Sequence, residues 1–107
     1  METANLAARA RYAPEKMQKV SLFDTDRSMT DLYCLQPGQS QRPHVHAGED
    51  KIYVVLEGQG EFHVGGEQAT LVPGHAVLAR AGVEHGVTNP GPANLRLLVF
   101  IAPPIRH

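Results

Sequence analysis

Short runs rich in Val, Leu, Ile, Tyr and Phe recur along the chain, at residues 32–35, 51–56 (KIYVVL), 61–64, 68–72, 75–79 and 95–101. Turn-forming residues interrupt them at Pro37 and Gly38, Gly58 and Gly60, Gly65 and Gly66, Pro73 and Gly74, Gly82, and the stretch Asn89, Pro90, Gly91, Pro92. Evenly spaced β-prone runs with a turn signal after each predict an antiparallel barrel or sandwich, because a helix needs a longer uninterrupted period. The class expected is all-β. Gly65-Gly66, flanked by EFHV and EQATLV, is placed to make a two-residue hairpin turn, since glycine reaches φ > 0 without a Cβ clash. Residues 3–11 are Ala-rich and suit one or two helical turns, a length that is marginal in isolation. Residues 20–23 read as a first strand, with Asp24, Thr25 and Asp26 as its turn. Residues 1–19 are thus expected as an N-terminal extension and 20–107 as a single domain.

Charge narrows the possible partners. Ten Lys/Arg stand against 11 Asp/Glu, a formal net charge of −1, so nothing favours a phosphate backbone or an anionic membrane surface. Neither nucleic acid nor membrane is an expected partner. The longest apolar run, 97–102, is far below the ~20 residues of a membrane span, and the N-terminus has no apolar signal core, so a cytoplasmic location is expected. Cys34 is the only cysteine, which excludes an internal disulfide and a cysteine-only metal cluster. Within DLYCL its ordinary use is as a small buried side chain; a Cys/His nucleophilic pair would need it to face the interior beside His44 or His85. Ser21, Ser28 and Ser40 sit in no nucleophile elbow.

Six histidines are many for 107 residues, and His44, His46 and His85 adjoin turn signals. In an extended chain the i, i+2 spacing of His44 and His46 points both rings to one face, roughly 6.6 Å apart along the strand. Two neutral imidazoles so placed can converge on one divalent ion at ~2.0–2.1 Å, although the same His-x-His pattern in a loop also suits two solvated side chains. His75 is expected as a solvated turn residue, His63 as an outward strand residue, and the terminal His107 carries no signal.

The glycines around these histidines complete a larger pattern. Gly38-QSQRP-His44-Val-His46-AGED-Lys51-IYVVLE-Gly58 is followed by Gly74-HAVLA-Arg80-Ala-Gly82-VE-His85-GVT-Asn89. In this arrangement the sequence resembles the cupin superfamily, in particular its small single-domain members. The resemblance implies a jelly-roll β-barrel of six to eight strands, with a metal held inside. Carried over residue by residue, it implies His44, His46 and His85 as ligands of a divalent transition metal such as Fe, Mn, Ni or Zn, with open positions for water or a small molecule.

One ligand of that pattern is missing. The position of the family's Glu is Lys51, and strand parity turns it to the same face as Tyr53 and Val55. A charged ammonium ~4 Å from a divalent ion would be repelled by on the order of 8 kcal/mol at an effective dielectric of ~20. Four arrangements follow. Lys51 extends to the mouth and leaves a three-His site; Asp50 replaces the Glu through a local bulge; Lys51 pairs with a substrate carboxylate beside the metal; or the histidines and Lys51 bind an organic anion without metal. Lys51, Asp50 and Tyr53 are therefore the expected pocket residues. The functions implied are metal-assisted isomerisation, cyclisation or oxygenation of a small anionic or oxygenated molecule, as in biosynthesis proteins of this kind, or non-catalytic binding of such a ligand. Because exposed sheet edges tend to be paired or covered, a two-fold homodimer through the sheets carrying 19–23 and 95–101 is also expected.

Overall fold

A computed structural model describes residues 1–106 and has nine strands with one helical turn. The helix α1 is Leu6–Arg9; the strands are β1 Gln18–Asp24, β2 Met29–Leu35, β3 Ser40–His44, β4 Asp50–Glu57, β5 Gly60–Val64, β6 Glu67–Leu71, β7 Ala76–Ala79, β8 His85–Thr88 and β9 Leu95–Ala102. They form two antiparallel sheets, β1-β2-β9-β4-β7 and β3-β8-β5-β6, in a jelly-roll arrangement. The all-β expectation holds. The Gly65-Gly66 hairpin holds too: Val64 pairs with Glu67, and only Gly65 has positive φ, at 62°, as a type II′ turn requires of its first central residue.

Side-chain alternation gives each strand of the five-stranded sheet an inner and an outer face. The inner face carries Tyr33, Leu35, Tyr53, Val55, Leu95, Leu97, Val99 and Ile101, which join Phe62 and Val87 of the other sheet in the core. Each large apolar side chain so buried contributes about 1.5–3 kcal/mol relative to exposure. The inner rows are not wholly apolar. Asp31 pairs across Val99 with Tyr53, and Met29 across Ile101 with Lys51, so a carboxylate and an ammonium enter the interior one row apart.

The outer face carries two rows that cross all five strands: Val20, Leu32, Leu98, Val54, Ala76, and beside it Phe23, Thr30, Phe100, Ile52, Leu78. Neither row has a charge, and Phe100 and Leu78 are exposed. The N-terminal extension covers part of this sheet: the Arg9 guanidinium donates to the Ser21 carbonyl, and the Arg11 N–H lies 3.5 Å from Cys34 Sγ. Cys34 is buried there, opposite in parity to Tyr33 and Leu35, and so faces away from the histidines.

Two strands have no apolar run to announce them. β3 reads SQRPH and β8 reads HGVT. β3 is an edge strand, which is why Pro43, with no N–H to give a ladder, is tolerated in it; the register shifts between Gln41 and His44. Beyond that shift His44 pairs directly with His85. Gly86 permits the close approach: a Cβ there would lie 2.7 Å from the Gln41 carbonyl oxygen and 2.8 Å from Pro43 N.

Candidate metal centre

Three chain segments bring the histidines together. His44 ends β3, His85 starts the neighbouring β8, and His46 lies two residues beyond the end of β3. The extended-strand picture of His44 and His46 therefore changes: the chain has left the sheet by His46, and the two rings meet edge to face with centroids 4.6 Å apart. His85 lies 4.3 Å from His44 and 5.8 Å from His46, ring to ring. Hydrogen bonds from the β7–β8 turn hold this loop, with the Gly82 N–H donating 2.8 Å to the His46 carbonyl and the Ala81 N–H 2.8 Å to Asp50 Oδ1. Asp50 is exposed and engaged in that turn, and it is not one of the group formed by the three histidines.

The tautomers are set by the backbone. His44 Nδ1 lies 2.8 Å from the Arg42 carbonyl oxygen and His85 Nδ1 2.9 Å from that of Val83, each two residues back along the chain. A carbonyl only accepts, so each Nδ1 carries the proton and each Nε2 keeps its lone pair. His46 Nδ1 lies 3.5 Å from Glu49 Oε1, a carboxylate in the corresponding orienting position. One potential ligand atom from each ring lies within 4.8 Å of the others. A shared ion with bonds of ~2.1 Å needs separations of about 3.0–3.4 Å, within reach of small side-chain rotations.

The donor set suits a divalent transition metal on two further counts. His85 Nε2 is buried with no hydrogen-bond partner among the described residues, a cost that an ion would relieve. All three imidazoles are also held below their usual pKa, first by burial, and that of His85 falls to about 4. They are neutral at pH 7, as ligation requires.

Lys51 enters the same interior and is 2 % exposed. It does not reach the mouth: Nζ donates 3.3 Å to Gln41 Oε1 and stands 5.0 Å from the ring centres of Tyr33 and Tyr53. Tyr53 OH donates 2.7 Å to the same Gln41 oxygen, and its ring is 6.2 Å from that of His85. Lys51, Tyr53 and Gln41 thus form one network next to the triad. Sequence reading misses Gln41, whose only signal is its place three residues before His44. It also misses Asp31, 6 % exposed with Oδ1 unpartnered, whose pKa burial raises.

Burial, followed by the charge of Lys19, lowers the Lys51 pKa from 10.5 to about 7. The unfolded chain therefore binds a proton that the folded chain releases across that interval, so stability rises with pH there. Urea midpoints should be higher at pH 9 than at pH 7, and Lys51→Met should remove most of the rise. Equal slopes in the two proteins would show that Lys51 is not desolvated.

The other motif residues have structural roles. Asn89 is fully buried; its Nδ2 donates 2.9 Å to the carbonyls of Leu35 and Ala93, and its Oδ1 accepts 2.8 Å from the Gly91 N–H. His75 is an exposed turn residue and His63 lies on the surface, 3.6 Å from Glu61. His107 lies outside the described residues.

Comparison with known proteins agrees with this geometry. The family described as "Cupin domain" matches residues 31–101. An oxalate-binding protein of Thermotoga maritima is 36% identical over 67 residues, covering 63% of this chain, and the aligned part spans 55% of that protein's length. The crystal structure of TT1209 from Thermus thermophilus superposes with a TM-score of 0.94 at 50% identity, over 96% of this chain and 98% of that one. A structure described as a predicted oxalate decarboxylase from Thermotoga maritima gives a TM-score of 0.76 at 27% identity, over 80% of this chain and 79% of that one. No helix among the described residues is long and apolar enough to cross a membrane.

Proposed function

This chain belongs to the cupin domain family, and on that premise we propose that it holds a divalent transition metal on His44, His46 and His85 and takes a small oxygenated organic anion, a dicarboxylate of the oxalate class, as its ligand. The observation that carries this reading is the convergence of three neutral imidazoles, two of them with Nδ1 tied back to a carbonyl so that Nε2 is free. The ion, when bound, supplies Lewis acidity toward carbonyl, carboxylate or enolate oxygen, the chemistry of isomerisation, cyclisation or oxygenation. The chain's own residues do the rest. The Arg42 and Val83 carbonyls and the Glu49 carboxylate fix the ring orientations, Tyr53 packs its ring 6.2 Å from that of His85, and Lys51 brings a basic group to the same Tyr53 ring.

Binding without turnover is the second reading, and one observation favours it. Among the described residues no carboxylate joins the three histidines, and the family's Glu position is an amine that neither ligates as an ammonium nor accepts a proton while charged. The experiment is to strip the protein with a chelator, reload it with Mn²⁺ or Zn²⁺, and measure bound metal and oxalate affinity. Near one ion per chain and oxalate binding that depends on it are expected; wild-type protein that binds neither ion would overturn the metal reading. Incubation of the loaded protein with oxalate, followed by NMR, separates turnover from binding.

A further inference from the structure

The donors of Lys51 exceed its acceptors. An ammonium has three N–H donors, and among the described residues Lys51 Nζ has one hydrogen-bond acceptor, the Gln41 oxygen at 3.3 Å, which also accepts from Tyr53 OH at 2.7 Å. Its remaining neighbours are the faces of Tyr33 and Tyr53, which attract a cation but accept no strong hydrogen bond. Among the described residues the carboxylate that enters the same interior, Asp31, is in no ion pair with it, and Asp31 Oδ1 has no partner. A buried amine with unmet donors is costly, and its place in the interior points to a partner that the chain does not itself supply.

The direction of that partner follows from the network. Gln41 and His44 share β3, and the Tyr53 ring neighbours both groups, 5.0 Å from Nζ and 6.2 Å from the His85 ring. We propose that Lys51 is the anion anchor of this interior, taking one oxygen of a compact, doubly oxygenated carboxylate whose other oxygens lie at the histidine triad. This rests on the metal-centre reading for the second contact, but the contact with Lys51 stands by itself. The substitution that removes a ligand of the family's pattern thereby creates a two-point site. It selects ligands with oxygen on two adjacent carbons, as in oxalate and 2-oxo or 2-hydroxy acids, over simple monocarboxylates.

Isothermal titration of the full chain, loaded with Mn²⁺, with oxalate and with acetate tests this for wild type, Lys51→Met and Lys51→Gln. Because a lost hydrogen bond to a charged group costs about 1.5–3 kcal/mol, oxalate affinity should fall about tenfold or more in both variants, at unchanged metal content and circular dichroism. Acetate affinity should change little. Oxalate binding as tight as in wild type would overturn the proposal, and an equal loss for acetate would overturn its two-point form. The same titrations on chelator-treated protein separate the two readings. If wild-type protein holds no metal, the metal centre fails, whereas Lys51 remains supported only if oxalate still binds wild type more tightly than Lys51→Met.

Discussion

Replacing His85 with Ala should abolish stable metal binding, with affinity for Mn²⁺ or Zn²⁺ lowered by more than about 100-fold. Loss of a group that merely orients a metal ligand already costs roughly 10–100-fold, and removal of the ligand costs more. His85 is the most buried of the three rings. It is 1 % exposed, pairs with His44 across β3 and β8, and carries a buried Nε2 that no group among the described residues satisfies. Without it, two half-buried imidazoles remain at the end of an edge strand, a pair whose geometry is no more selective than that of two surface histidines. The measurement is competition against a chelating dye, with metal content after gel filtration as a second readout. His63→Ala is the control, since its ring sits on the surface beside Glu61, and it should bind as wild type does. A near-stoichiometric ion retained by His85→Ala would place the metal elsewhere, or nowhere specific.

The parts of this site that can be read from sequence are those fixed by covalent spacing. Gly38, Gly58, Gly74 and Gly82 all have positive φ, and a glycine at a required left-handed position is visible as a residue type before any fold is known. The three histidines are visible for the same reason, as is the inward parity of Lys51, because alternation along a single strand needs no partner. What escapes is set by pairing. β3 and β8 have too few apolar residues to be recognised, and they exist because each completes the other's ladder. Gln41 is a polar residue in a polar strand until the register with Val87 places it under the barrel mouth, where Lys51 and Tyr53 both reach it. Asp31 sits in an apolar strand and reads as a surface interruption, yet its register with Val99 turns it inward. The His44–His46 geometry departs from the extended picture because a register shift and the end of β3 fall between Gln41 and His46, and irregularities of that kind have no periodic signature.

Lys51→Glu is the change with the largest expected gain, and its two effects have opposite signs. It places a carboxylate on the inner face of β4, where the family's fourth ligand belongs, and replaces a charge that repels a divalent ion with one that attracts it. Coulomb energy alone, at an effective dielectric of ~20, makes that exchange worth several kcal/mol, from which the desolvation of a buried carboxylate subtracts a large part. Metal affinity should therefore rise at least about tenfold, equivalent to about 1.4 kcal/mol. Oxalate affinity of the loaded protein should fall, because the second oxygen pair now meets a carboxylate where it met an ammonium. In the metal-free protein the new side chain has Gln41 and two tyrosine rings around it in a buried setting, so thermal stability should drop relative to wild type and recover on addition of Zn²⁺. A metal titration and an oxalate titration on one preparation read both effects. If metal affinity stayed at the wild-type value, the side chain at position 51 would not share its interior with the ion, and the anion site would have to be sought on the other side of the triad.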